Sequence, residues 1–342
     1  MTSLFIRVAG WLGFFLASLL LSGCGESAPE ILALEGRTMG TTWHVTVVNA
    51  PEHDRDFYQA GIQAQVDAVV AKMSTYEAES ELSRFNRAPA GEWFALSADT
   101  LKVIEEGQRL SAMSAGSFDI TVGPVVNLWG FGPDKRPDKV PSEDELAAAF
   151  ARVGYQHINL DHEQQRAQKA VDAYVDLSAI AKGYGVDRIA DWLEQQGVIS
   201  YLVEVGGELR AKGHKPDQKP WRIAIESPLD IERDVQQVIK VTDVAIATSG
   251  DYRNYFEEQG VRYSHTIDPS TGKPIRHKLA SVTVLQPQCM TADGLATTLM
   301  VMGEEKGYQF ALAHRIPAFF IIKSEQGFIE RYTPEFEPYL EN

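Results

Sequence analysis

Cysteine is almost absent from this sequence, since the 342 residues contain only two, Cys24 and Cys289. Cys24 ends an N-terminal hydrophobic stretch, so Cys289 has no partner left for a disulfide. Zinc sites built on cysteine are excluded for the same reason. No strongly basic segment adjoins Cys289 to lower its pKa, which favours a small buried apolar side chain over a nucleophile. The folded part must therefore be stabilised by its core alone.

Positive charge is also scarce, with 32 basic residues against 47 acidic ones and a formal net charge of -15. A protein that binds nucleic acid usually carries a basic patch that neutralises phosphates, and this composition offers no such footprint. We therefore expect no nucleic-acid partner. The partners should be neutral or cationic, or anionic only where a metal ion intervenes.

The N-terminal apolar run, from Val8 to Leu21, follows a single positive charge and is short for a membrane span. These features predict a secretory signal peptide over residues 1–23. Its end, Leu21-Ser22-Gly23-Cys24, resembles the lipobox of bacterial lipoproteins, in which the cysteine is acylated after cleavage; the alternative is a chance cysteine at this place. If this segment is a lipobox, residues 24–30 contain the lipidated Cys24 and its tether, and residues 31–342 form the folded domain.

Several common catalytic and binding motifs are missing. The eight histidines form no HExxH pair, and neither a GxSxG elbow nor a Walker lysine motif occurs. In "KGYGVDR" an arginine, Arg188, stands where a dinucleotide fingerprint would need its third glycine. These absences exclude the common zinc-protease, serine-hydrolase and P-loop sites, so any bound phosphate needs a different kind of binding site.

Hydrophobic periodicity predicts both helices and strands. Alternation through Trp43, Val45 and Val47 predicts a half-buried strand after a Met-Gly turn, and helical spacing predicts helices over 54–74 and 97–112. Ser142 and Glu145 form a capping-box signature before a third helix. Further predicted helices cover 178–196 and 291–313. Predicted strands cover 157–160, 170–177, 200–204, 220–226, 236–247 and 281–286. A hairpin is predicted around residue 259, before the last of these strands. A final pair of predicted strands spans 319–322 and 328–332. Strands and helices in separate runs predict an α+β fold with antiparallel sheet.

The stretch "TADGLATTL" places Asp293 and Thr297 four residues apart, on one face of a predicted helix. Aspartate near a helix start usually serves the cap, and a threonine one turn later usually packs or bonds back to the helix. The same oxygens could instead hold Mg²⁺, which prefers oxygen ligands and takes only one or two protein carboxylates. Both interpretations stay open at this point.

Two other segments combine aromatic or titratable residues with flexible backbone. Residues 114–132, around Phe118 and Trp129, and the segment around Tyr76 could sandwich a planar ring or simply cover a core. His265 precedes a turn beginning at Asp268, where a histidine could act as general acid or base or merely stabilise the turn.

Eight segments taken together, in this order, resemble the ApbE family of flavin transferases. They are "GRTMGTTWHV", "MSTYEAESELSRFN", "GSFDITVGPVVNLWGFG", "VDLSAIAKGYGVDRIADWL", "VEVGGELRAKG", "IATSGDYRNYF", "YSHTIDPSTGKPI" and "TADGLATTL". The resemblance implies an α+β fold of two interlocked lobes, built on mainly antiparallel sheet with flanking helices and a flavin cleft between the lobes. It also implies Mg²⁺-dependent transfer of FMN from FAD to a threonine hydroxyl of an acceptor protein, with release of AMP.

The resemblance also assigns roles to individual positions. Residues expected to contact FAD are Met39, Tyr76, Ser117, Phe118, Asp119, Asp176, Lys182 and Ile267. Mg²⁺ is expected on the Ala179 carbonyl, Asp293 and Thr297, with the Ala296 backbone as a further candidate. His265 is the candidate catalytic base.

Two other functions use the same cleft, namely Mg²⁺-dependent hydrolysis of FAD to FMN and AMP, and FAD binding by a lipoprotein without chemistry. Family resemblance points to membrane redox subunits of the Nqr and Rnf type as acceptors. The lipid anchor predicts a location on the periplasmic side of a membrane. The acceptors favour the inner membrane, and the outer membrane is the alternative, because Gly25 is not the aspartate often associated with inner-membrane retention.

Overall fold

The computed structural model describes residues 30–51, 54–133, 140–228, 235–250, 255–258 and 261–341. The chain divides into two units, Met1–Glu30 and Ile31–Asn342, and the second of these contains the fold described below. The predicted signal peptide, Cys24 and the tether as far as residue 29 lie outside the described residues. Within the described part, no helix has the length and apolar character needed to cross a membrane.

Seven α-helices and seventeen strands make up the described part of the second unit. The helices are α1 Arg55–Met73, α2 Glu81–Arg87, α3 Ala98–Met113, α4 Gly123–Leu128, α5 Glu143–Phe150, α6 Ala181–Gln195 and α7 Cys289–Ala313. The strands are β1 Ile31–Thr38, β2 Thr41–Val48, β3 Trp93–Ala95, β4 Ile158–Asp161, β5 Arg166–Lys169, β6 Tyr201–Val205, β7 Glu208–Lys212, β8 Trp221–Glu226, β9 Val235–Val241, β10 Val244–Gly250, β11 Tyr255–Glu258, β12 Val261–Ser264, β13 Ile267–Asp268, β14 Lys273–Pro274, β15 Leu279–Gln286, β16 Ala318–Ser324 and β17 Gly327–Tyr332.

The centre of the fold is an eight-stranded sheet in the order β1-β2-β6-β7-β10-β15-β16-β17. All of its neighbouring strands run antiparallel. Smaller described sheets pair β8 with β9, β11 with β12 and β13 with β14, and place β5 between β3 and β4. The α+β class and the antiparallel sheet predicted from the sequence are confirmed, while the division into two lobes stays a prediction.

Side-chain alternation gives the central sheet two buried faces. On one face, Trp43 and Val203 pack in a core with Ile62 of α1 and Ile189 of α6. The opposite face belongs to a second core, which the β8–β9 hairpin covers. Its members include Ile223, Ile225, Ile246, Phe319 and Ile321. Burial on both faces of the sheet explains why seven consecutive residues of β15 are buried.

Several predicted elements are confirmed where burial is strongly periodic. All five apolar positions that predicted α1 are buried, namely Tyr58, Ile62, Val66, Val69 and Met73. The capping box of Ser142 and Glu145 is present at the start of α5. The helix predicted over 291–313 begins at Cys289 and kinks at Gly303, whose φ is 77°. Cys289 is fully buried and burial raises the pKa of its thiol, as expected for a small apolar side chain and not for a nucleophile.

Two predicted boundaries are wrong. The helix predicted from 178 begins at Ala181, and the strand predicted over 236–247 is two strands, β9 and β10. Asp243 makes the turn between them, with a φ of 50° and an Oδ1 that accepts a hydrogen bond from the Gly213 N–H at 3.0 Å. A polar residue with positive φ breaks the apolar run without glycine or proline, which hid the turn.

The strand predicted over 170–177 is also wrong, because this segment joins no sheet. Ala173 and Val175 are buried as the alternation predicted, but a side chain replaces the neighbouring strand. Asn86 donates from Nδ2 to the Val175 carbonyl at 2.8 Å and accepts from the Val175 N–H at 2.8 Å. The Asp176 N–H then bonds to the Ile120 carbonyl at 2.7 Å. The buried backbone groups of this segment thus have hydrogen-bond partners without pairing to a neighbouring strand.

Replacing Asn86 by alanine is expected to lower the free energy of unfolding by about 2 kcal/mol, because the Val175 N–H and C=O would remain buried without partners. Urea unfolding followed by circular dichroism measures this change. Asn159→Ala is the matched control, since that side chain makes an exposed hydrogen bond to Gln168 and its loss should cost about 0.5 kcal/mol or less. Equal stability losses in the two variants would contradict the role assigned to Asn86.

Candidate active site

A cavity of about 1220 Å³ lies at one end of the central sheet. Its lining includes the β1–β2 turn at Met39 and Gly40 and the β6–β7 turn at Gly206 and Gly207. The antiparallel register brings these two turns to the same end, since Trp43 faces Val205 across β2 and β6. Irregular segments and helix starts form the remaining walls.

All twelve residues predicted as site positions line this one cavity. They are Met39, Tyr76, Ser117, Phe118, Asp119, Asp176, Ala179, Lys182, His265, Ile267, Asp293 and Thr297. Ala296, considered as a further backbone ligand, is buried and lies outside the lining. Six separate stretches of the chain therefore converge on one site.

A charged cluster occupies the part of the cavity between α6 and α7. The Lys182 Nζ lies 2.6 Å from Glu208 Oε1 and 3.9 Å from Asp293 Oδ1. Asp293 Oδ2 accepts a hydrogen bond from the Gly183 N–H at 3.0 Å, which ties the start of α6 to α7. The two helices approach so closely here that a Cβ on Gly183 would lie 2.4 Å from the Cys289 carbonyl oxygen. Glycine at 183 is therefore required by contact between the helices.

Burial dominates the electrostatics of this cluster. Asp293 and Glu208 are 5% and 3% exposed, and burial raises the pKa of each carboxyl group, while the Lys182 ammonium opposes that shift. Burial also acts to lower the pKa of Lys182, but the charges of Asp293 and Glu208 outweigh it and the pKa is raised. When all three groups are ionised, two carboxylates share one ammonium. The cluster therefore favours an additional cation.

Asp293 does not cap its helix, so the capping interpretation of "TADGLATTL" is wrong. The helix begins four residues earlier, at Cys289, and its first N–H groups are capped from another helix. Asp187 of α6 accepts from the Cys289 N–H at 3.0 Å and from the Met290 N–H at 2.9 Å. This leaves Asp293 in the second turn, facing the cavity.

The aromatic segments divide between the two interpretations. Tyr76 is 66% exposed at the cavity wall, whereas Trp129 is buried and donates from Nε1 to the Gly272 carbonyl at 2.9 Å. Phe118 does both, since it packs in the core and lines the cavity. The His265 ring lies edge-on to Phe131, with centroids 6.4 Å apart. Tyr76 and Phe118 can thus contact a planar ring, while Trp129 covers a core.

Two of the acidic residues predicted to contact FAD accept hydrogen bonds within the loops that border the cavity. Asp119 Oδ1 accepts from the Thr121 N–H and hydroxyl, and Oδ2 accepts from the Tyr155 N–H at 2.9 Å. Asp176 Oδ1 accepts from the Ser178 N–H at 2.9 Å and from its hydroxyl at 2.6 Å. These bonds fix the loops that border the cavity. Direct contact of either carboxylate with FAD stays a prediction.

Comparison with known proteins decides the family. The ApbE family model matches residues 39–320, which is most of the chain. The chain belongs to the ApbE family. Curated relatives of this ApbE-family chain include the FAD:protein FMN transferases of Vibrio cholerae, 50% identical over 96% of this chain and 98% of the relative, and of Escherichia coli K12, 39% identical over 98% and 97%.

Solved ApbE structures share the fold. The flavin transferase ApbE from Vibrio cholerae superposes with a TM-score of 0.85 at 50% identity, covering 91% of this chain and all of that one. The apo form of the flavinyl transferase ApbE from Pseudomonas stutzeri gives a TM-score of 0.85 at 42% identity, covering 91% of this chain and 97% of that one.

The residues present fit the magnesium ion that the ApbE resemblance implies. Glu208 Oε2 is buried without a hydrogen-bond partner among the described residues, beside a cluster with surplus negative charge. No group of three or more His, Cys, Asp or Glu side chains suited to a metal occurs in the described part, so a magnesium site here would need hydroxyl and carbonyl oxygens as well. Asp293, Thr297 and the Ala179 carbonyl supply such a set of hard oxygen donors.

Sequence reasoning missed part of this ApbE site. Glu208 lies within "VEVGGELRAKG" and has no predicted role, although a carboxylate directly after a Gly-Gly turn is an available signal. The β8 residues 222–226 also line the cavity and carried no signal at all. They bring backbone to the site, and backbone has no sequence motif of its own.

Proposed function

We propose that this chain transfers FMN from FAD to a threonine hydroxyl of an acceptor protein, with AMP as the leaving group and with dependence on Mg²⁺. The observation that carries the proposal is the convergence of the twelve expected residues on one cavity that contains a buried carboxylate pair. FAD:protein FMN transferases at up to 50% identity support the overall reaction.

The side chains of the cavity divide the work. Lys182 is held by Glu208 at 2.6 Å and presents a cation to the pyrophosphate, while Tyr76 and Phe118 offer ring contacts to the flavin or adenine. Asp293, Thr297 and the Ala179 carbonyl would hold Mg²⁺. When bound, Mg²⁺ neutralises charge on the pyrophosphate and on the departing AMP oxygen. A protein with a net charge of -15 needs such neutralisation to accept a polyanion.

The group transfer itself requires one base and one entering hydroxyl. The threonine oxygen forms a bond to the FMN phosphorus as the bond from that phosphorus to the AMP oxygen breaks. His265 lines the cavity and would accept the proton of the threonine hydroxyl. If water enters in place of threonine, the same arrangement hydrolyses FAD to FMN and AMP.

The setting of the reaction is part of the proposal. Cleavage after residue 23 and acylation of Cys24 would anchor the protein to the periplasmic side of the inner membrane. The lipobox-like Leu21-Ser22-Gly23-Cys24 supports the anchor. Threonine-bearing subunits of the Nqr and Rnf type face the same compartment and would be the acceptors.

The test incubates protein lacking residues 1–24 with FAD, Mg²⁺ and the threonine-bearing domain of an Nqr-type subunit. We expect gel-resistant flavin fluorescence on the acceptor, abolished by EDTA and restored by excess Mg²⁺. An acceptor with valine at the target threonine should remain unlabelled. FMN and AMP formed without labelling would support hydrolysis instead. Intact FAD after long incubation would favour flavin binding without chemistry.

A further inference from the structure

Strand β8 presents its edge, and not one of its faces, to the cavity. Five consecutive residues line the cavity, namely Arg222, Ile223, Ala224, Ile225 and Glu226. Successive side chains of a strand point to opposite faces, so one face could contribute only every second residue. A run of five consecutive lining residues therefore means that the backbone edge of β8 faces the cavity.

The hydrogen-bond register identifies which backbone groups point to that edge. On β9, the Val238 carbonyl accepts from the Glu341 N–H at 3.1 Å, so the backbone of Val238 faces the C-terminal segment and not β8. Val238 lies opposite Ala224 in the antiparallel pair. Opposite residues in such a pair either exchange both backbone bonds or turn both outward, and Val238 has turned outward.

The N–H and C=O of Ala224 therefore point away from β9, toward the cavity. By alternation, the same holds for Arg222. Among the described residues, none makes a hydrogen bond to the backbone of either residue on this side. The cavity wall thus contains an unpaired strand edge of the kind that accepts another strand.

Packing holds this edge in place. The side chains of Ile223 and Ile225 are buried against the central sheet in the core that contains Ile246 and Phe319. The Arg222 side chain is anchored to Glu341, with NH2 2.6 Å from Oε2. The Ala224 side chain is small and exposed, so it leaves room beside the edge. An incoming strand would find its partner already ordered, which lowers the entropic cost of binding.

We propose that β8 is the docking strand for the acceptor protein, whose extended threonine-bearing segment adds to the β8–β9 pair as a third strand. This inference rests on the proposed function, because a transferase acting on protein must admit a polypeptide to the cavity that holds FAD. Backbone pairing suits a polypeptide and offers nothing comparable to a flavin. The edge from Arg222 to Ala224 extends about 10 Å, enough to position one side chain at the reacting phosphate.

The outer edges of the central sheet are less suitable for this role. β1 and β17 are the outer strands of the central sheet, and none of their described residues lines the cavity. A segment paired with either would therefore lie outside the cavity wall. β8 combines an unpaired edge with direct access to the site.

Ala224→Pro tests the proposal in the full chain purified in detergent, because proline removes the cavity-facing N–H and leaves the β9 bonds in place. Proline is tolerated on edge strands. We expect the KM for the Nqr-type acceptor domain to rise about 10-fold, since at least one backbone bond is lost. The dissociation constant for FAD should stay unchanged. Ala224→Val keeps the N–H and adds bulk, so it separates hydrogen bonding from side-chain size, and a smaller rise in KM than in Ala224→Pro is expected.

Hydrogen exchange supplies a second measurement that requires no turnover and no variant. The acceptor domain with valine at its target threonine is added to wild-type protein with FAD. We expect slower exchange at the amides of Arg222 and Ala224. Protection at β1 instead, or none at β8, would overturn the proposal, as would an Ala224→Pro protein with an unchanged acceptor KM. Wild-type protein that binds the acceptor at β8 but labels nothing would contradict the proposed function alone.

Discussion

Replacing Asp293 by asparagine is expected to reduce FMN transfer by about 100-fold or more, with the fold retained. Asp293 is the one carboxylate in the proposed Mg²⁺ site, and its Oδ2 also accepts from the Gly183 N–H. Asparagine keeps the shape and an oxygen that can accept this bond, but it removes the negative charge. Lys182 retains Glu208 as a partner at 2.6 Å, so no buried ammonium is left unpaired.

Gel fluorescence of the labelled acceptor and calorimetric titration with Mg²⁺ measure the two expected effects of Asp293→Asn. Binding of Mg²⁺ in the presence of FAD should weaken in parallel with transfer, while the thermal midpoint changes little. Asp172→Asn is the matched control, because that carboxylate is 72% exposed, pairs with Arg152 and lies outside the cavity lining. Full Mg²⁺ dependence with wild-type affinity in Asp293→Asn would eliminate Asp293 as a ligand.

The fold could be predicted from the sequence wherever burial follows one period. β2 and the first part of α1 each bury one regular stripe against the same core, and the pattern predicts both elements. The segment 170–177 shows the limit of this reasoning, since its alternation correctly marks buried positions but cannot reveal what bonds to the backbone. That partner is Asn86, a side chain 89 residues away from Val175. Periodicity reports burial, and the prediction mistook burial for a strand.

Most side chains of the site could be predicted from the sequence, but their contacts with one another could not. The expected side chains came from ordered segments resembling a family, and the fold gathers them because the β1–β2 turn, the β6–β7 turn and the starts of α6 and α7 meet. Glu208 acquires its role only through its 2.6 Å contact with Lys182 from another element. The edge of β8 depends on strand register, which no single segment encodes. Contacts of this kind become visible only in three dimensions.

Asp187→Ala is expected to cause the largest loss of stability, about 3 kcal/mol in the free energy of unfolding. Asp187 is buried and supplies from α6 the cap that α7 lacks in its own sequence, since Gln288 at the N-cap position makes no side-chain bond. Without it, the Cys289 and Met290 N–H groups remain buried and unpaired. Arg210, which lies 3.0 Å from Asp187, also loses its most buried partner.

Thermal and urea unfolding measure this loss, and Asp191→Ala is the control. Asp191 also contacts Arg210, at 3.3 Å, but its side chain is 44% exposed and caps no helix, so its loss should cost about 1 kcal/mol or less. Asp187→Asn should fall between the two, because an amide oxygen can accept from one N–H but carries no charge for Arg210. Similar losses for Asp187→Ala and Asp191→Ala would mean that the ion pair matters and the cap does not. A much larger loss for Asp187→Ala would show that α7, which carries Asp293 and Thr297 into the cavity, is held in position from α6.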